Sequence, residues 1–161
     1  MPATMAFVRG GEGEGPDRVY VTRGDGSEVS FRIWPSVAGP PHDLAHLVVE
    51  AALGLDLGFW GLVAAGGSPK APVGGHDPSQ LLQAEAVVSV LTGHGSQIHT
   101  SDADRCEAVA AACVASGTAP PSEVDEATIG RLRVALAEVT EVWDGLPPGT
   151  ALARTWSRPK P

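Results

Sequence analysis

Positive charge is scarce in this chain. Its 161 residues include only 11 Lys and Arg, two of them Lys, against 19 Asp and Glu, for a formal net charge of −8. The Arg residues are scattered and form no basic stripe, which argues against nucleic-acid binding and against attraction to an anionic membrane surface. Long apolar runs are also missing. The most apolar region, residues 44–67, is interrupted by Glu50 and Asp56 and ends in glycines, so it does not read as a membrane span. Residues 1–16 lack the basic segment and apolar run of a signal peptide. Cysteine is limited to Cys106 and Cys113, in one predicted helix. Seven residues of helix separate them by about 10 Å, too far for a disulfide, so reduced thiols and a cytoplasmic protein are expected.

Glycine and proline, by contrast, are plentiful, at 20 and 14 residues. They imply long turns around a core, which the 37 Leu, Ile, Val and Phe residues are sufficient to build. The length predicts a single domain over 1–161, with residues 1–17 partly flexible. Alternation marks strands at Thr4–Arg9, Arg18–Arg23 and Glu28–Trp34, the last two joined by a Gly24-Asp25-Gly26 turn. Helices follow over His42–Leu53, Asp77–Leu91 with Asp77 as N-cap and Pro78 at the first position, Ser101–Ser116, and a fourth opened by Ser122–Asp125 and ending at Asp144. The passage from Gly58 to Gly75 reads as a Gly-rich loop, and Thr150–Trp156 as a last strand. The expected fold is α+β: an N-terminal antiparallel hairpin or meander plus a C-terminal strand, packed against about four helices on one face.

One constellation carries chemistry. In the first helix His42, Asp43, His46 and Glu50 fall within about 100° of arc, while Leu44, Leu47, Val48, Ala51 and Ala52 take most of the rest. The Asp77 helix likewise surrounds a strip of Glu85, Ser89 and Thr92 with apolar residues. Helices apolar over most of their circumference are normally buried. A narrow polar strip on each must then meet a partner, because unpaired buried charge is costly, and the two strips are positioned to face each other. His at i and i+4 lets two imidazoles grip one ion from adjacent turns. Glu50, about 12 Å of rise from His42, is expected to stand behind His46 as its partner. The plain alternative is a solvated strip, with His46–Glu50 an ordinary surface pair. Trp60, beside glycines, is expected near a pocket.

The arrangement His42-Asp43-x-x-His46 resembles the H-E-x-x-H helix of zinc metallopeptidases, with Asp43 where the general-base Glu stands. The resemblance implies a third ligand from a later helix, for which Glu85 is the candidate and His76, His94 or His99 are substitutes. Two features differ: Asp is one methylene shorter, and Pro40-Pro41 sets His42 at the helix mouth. The run Pro41-His42-Asp43-x-x-His46-x-x-Val49-Glu50, with Gly58-Phe59-Trp60-Gly61 and the later Val142-Trp143-x-x-Leu146-Pro147-Pro148-Gly149, also resembles a group of small uncharacterised bacterial proteins sharing a PHDxxHxxVE…GFWGxxAxG signature.

The expected function is binding of zinc or another divalent metal by His42, His46 and Glu85. If the site is catalytic, Asp43 and Glu50 are its acid–base groups in a hydrolase-type reaction on a small-molecule or peptide substrate. Two other readings stand beside it. One is a non-enzymatic small-molecule- or protein-binding scaffold that forms a homo-oligomer, and the other a metal-free acid–base enzyme of small-molecule metabolism.

Overall fold

A computed structural model describes residues 1–13, 15–34, 39–93 and 99–157. Among these residues three N-terminal strands, β1 (Ala3–Val8), β2 (Arg18–Thr22) and β3 (Glu28–Arg32), precede five helices: α1 (His42–Leu53), α2 (Phe59–Ala64), α3 (Ser79–Thr92), α4 (Asp102–Ala115) and α5 (Glu126–Asp144). Strand β4 (Ala151–Trp156) follows the helices. The sheet is antiparallel throughout, in the order β3-β2-β1-β4, with Met5 opposite Val21 on one side and Arg154 on the other. The expected α+β class is therefore observed. The hairpin turn between β2 and β3 follows from its residues: Gly26 takes φ 84°, and Asp25 accepts the Ser27 N–H at 2.9 Å.

Alternation sends Ala3, Met5, Phe7, Val19 and Val21 into the core and leaves Thr4, Tyr20 and Thr22 outside. This apolar face packs on Leu44 and Leu47 of α1, Trp60 and Val63 of α2, and Val139 and Trp143 of α5. A second apolar cluster lies among α1, α3, α4 and α5, built from Ala45, Val49, Leu53, Val87, Val88, Ile129, Leu132 and Leu136 among others. Helix α1 is shared by both clusters, and Val48, only partly buried, touches each.

Helix α2 departs from the expected loop. Its six residues are buried over Trp60–Val63, so tertiary packing overrides the local glycine signal. The remaining differences concern ends. Helix α3 is regular from Ser79 with Pro78, not Asp77, at its N-cap and no side-chain cap; Asp77 instead accepts the Ser79 N–H at 2.9 Å in the turn that leads in. Helix α5 starts at Glu126, capped by Asp125 through the Thr128 N–H at 2.7 Å, rather than within 122–125. Strand β3 stops at Arg32, and Trp34 is 64% exposed. Both thiols are free, and burial raises the pKa of each. No helix among the described residues is long and apolar enough to cross a membrane.

Candidate metal centre

The polar strip of α1 points inward. His46 is 4% exposed and Glu50 0%, whereas the alanines of the last turn, Ala51 and Ala52, face solvent. The surface-pair alternative is overturned, and the reason is visible in what surrounds Glu50. The turn after α1 brings the first amides of α2 onto its carboxylate: Phe59 N–H donates to Oε1 at 3.0 Å and Trp60 N–H to Oε2 at 2.8 Å. His46 Nδ1 adds a third bond to Oε1 at 3.1 Å. Three hydrogen-bond partners meet its two oxygens, so this buried acid is not left without partners. The turn itself is tied to α3 by Leu57 N–H donating to Gln80 Oε1 at 2.6 Å.

Beyond the His46 ring lies the strip of α3. His46 Nε2 is 3.0 Å from Glu85 Oε2, His42 Nε2 is 3.2 Å from the same oxygen, and the two Nε2 atoms are 3.2 Å apart. These three atoms form a nearly equilateral triangle spanning facing helices, as the two strips predicted. Ligands 2.0–2.2 Å from one tetrahedral zinc lie about 3.3–3.5 Å from each other, so small adjustments would seat such an ion. His42, His46 and Glu85 are also the one His/Cys/Asp/Glu group among the described residues whose atoms converge closely enough to hold a metal. The centre is graded from inside to outside: the side chains of His46, His42 and Glu85 are 6%, 32% and 53% exposed.

Electrostatics match this layering. Burial alone would lower the His46 pKa, but hydrogen bonds and charge from Glu50 and Glu85 outweigh it and raise the value to about 9. The imidazoles of His42 and His46 hold Glu85 well below the usual carboxylate range. Burial raises Glu50, against the pull of His46 and the two α2 amides.

Asp43 stands outside the triangle. It is half-buried, burial raises its pKa, and its carboxylate accepts a hydrogen bond from the Trp34 backbone N–H. Trp60, expected beside a pocket, is fully buried; its indole N–H donates to the Asp43 carbonyl at 2.7 Å, and its ring packs on Phe7, Phe31 and Phe59. Of the substitute ligands, His76 is exposed and His99 partly buried, neither in the triangle, and His94 lies outside the described residues. The role of the Phe59 and Trp60 amides as donors to Glu50 was not anticipated from sequence, where Gly58 and its neighbours read as a loop. Comparison with protein-family models, with curated proteins and with solved structures gave no match.

Proposed function

We propose that the protein binds one divalent transition-metal ion, zinc or a zinc-like ion, through His42 Nε2, His46 Nε2 and Glu85. The observation that carries this reading is the triangle of three ligating atoms with 3.0–3.2 Å edges across two helices. Charge supports it. Glu85, held well below the usual carboxylate range by the two imidazoles, brings negative charge to the centre that a divalent cation meets. Tautomer supports it as well, because Glu50 accepts from Nδ1 and so leaves the Nε2 lone pair directed at the ion. Two imidazoles and a carboxylate form the mixed N/O ligand set that zinc takes in catalytic sites, where a fourth position holds water.

The outward side, bounded by partly exposed His42 and Glu85, is where that water belongs. A metal-bound water of lowered pKa supports hydrolysis of a small-molecule or peptide substrate, with Asp43 as the neighbouring base and Glu50 acting through His46. The spacing shared with zinc metallopeptidase helices agrees with this assignment.

Zinc titration of protein stripped by chelator tests the reading. One ion per chain is expected, with His46→Ala abolishing stoichiometric binding and Glu50→Gln weakening it by about 10–100-fold. Asp43→Asn should bind as the parent does while losing any hydrolytic activity. Unchanged binding by His46→Ala would remove the basis of the proposal.

A further inference from the structure

Gly58 occupies an unusual position for a glycine. Its φ of −72° and ψ of −174° are extended backbone open to any residue, so conformational freedom does not explain it. Space does. A Cβ built at residue 58 would lie 2.5 Å from Glu50 Cδ, 2.6 Å from Oε2 and 3.0 Å from Cγ. Real Cβ atoms do not approach other atoms so closely, and the obstacle is no flexible tip in solvent, since Glu50 is fully buried and held by three hydrogen bonds.

From this contact we infer that Gly58 is a positioning residue for the metal centre: its missing side chain lets the turn before α2 close onto Glu50, which in turn fixes His46. The inference rests on the metal-binding reading proposed above. Direct contacts join Gly58 to His46. The backbone at Gly58 abuts the Glu50 carboxylate, the next two amides, from Phe59 and Trp60, hold both its oxygens, and Oε1 accepts from His46 Nδ1. The neighbouring turn allows little retreat. Gly58 N–H donates to the Leu55 carbonyl at 3.1 Å, and a Cβ at Gly61 would meet the Asp56 carbonyl oxygen at 2.0 Å, so α2 is pressed against the same turn one helical step further on. A methyl group at 58 therefore displaces the carboxylate, and the imidazole loses its aim or its tautomer.

Zinc affinity and imidazole 15N spectra should be measured for the parent, Gly58→Ala, Glu50→Asp and the double variant. In metal-free protein, Gly58→Ala should shift the His46 Nδ1 signal, a change that loss of stability alone would not produce. Its zinc affinity should fall about 10-fold or more, the scale on which supporting partners of metal ligands act. Shortening the acid makes room for the methyl group, so Gly58→Ala should cost clearly less in the Glu50→Asp background, a coupling that a double-mutant cycle isolates. If Gly58→Ala alone does not fold, recovery of fold and zinc binding in the double variant reports the same coupling. Equal losses in both backgrounds, an unchanged His46 signal, or a double variant that also fails to fold would overturn the inference. A parent that binds no zinc would instead remove the metal reading on which it rests, so the two failures are distinct.

Discussion

Among the described residues two charged networks join helices, and their settings differ. Between α4 and α5, Asp102 accepts from Arg105 and Arg133, each at 3.0 Å, with all three side chains open to water to some degree. Between α1 and α3, His46 bridges Glu50 and Glu85 with almost no solvent contact of its own. The first network needs no special surroundings, because water solvates whatever the partners leave unsatisfied. The second exists only because the backbone of α2 and the opposing helix supply every missing bond, and no described buried side-chain polar atom is left without a partner. A buried ionic cluster is weak evidence for stability, since apolar packing could serve the same space as well or better. The convergence of three possible ligand atoms on one point is what marks the α1–α3 pair as a candidate site.

The widest gap between the two networks should appear on deleting one acid from each. Glu50→Ala leaves two buried amides and an imidazole without their acceptor and should cost about 3–5 kcal/mol in urea unfolding. A loss below about 1 kcal/mol would place Glu50 with the surface acids. The pH profile of metal-free protein should sharpen the contrast next. The folded pKa of His46 stands above its unfolded value, so its contribution is full below pH 6.5 and is lost as pH rises through about 9. That loss is on the order of 3 kcal/mol. Glu85 works in the opposite sense: with its folded pKa lowered, its contribution is present above about pH 4.5 and lost as the solution is acidified below that. Denaturation midpoints from pH 4 to 9.5 should therefore peak between these limits in the parent and lose the alkaline decline in His46→Ala. Zinc competes with the same proton, so calorimetry in buffers of different ionisation enthalpy should report close to one proton released per ion at pH 7.5. Proton-neutral binding would contradict a His46 that is protonated before the ion arrives and ligates it afterwards. The smallest effect is expected from Asp102→Ala, below about 1 kcal/mol, as for partly exposed pairs in general.

Much of the site was readable from residue spacing. His42, His46 and Glu50 at intervals of four share one helix face, and the strip of α3 containing Glu85 offered its complement. Spacing alone left a solvated strip and a buried one both open, and the structure decides: Ala51 and Ala52, counted with the apolar arc, lie outside while Glu50 lies inside. Alanine gains little from burial, whereas a carboxylate with three donors loses little by it, so side-chain size and available partners decided which residues turned inward. The sheet was legible from alternation, and Ser101 and Asp125 act as caps. Helix α2 was hidden because Gly58 and Gly61 are loop residues by composition. Their reason for being glycine, close approach to Glu50 and to the Asp56 carbonyl, exists only once the chain has folded.

The most direct test of the central claim is a crystal structure of the zinc-loaded protein, with anomalous scattering at the zinc edge to identify the ion. One zinc is predicted 2.0–2.2 Å from His42 Nε2, His46 Nε2 and a Glu85 oxygen, with Glu50 still accepting from His46 Nδ1 and with water in the outward position. Zinc on His76 or His99 instead, or a fully formed triangle that stays empty at saturating zinc, would contradict it.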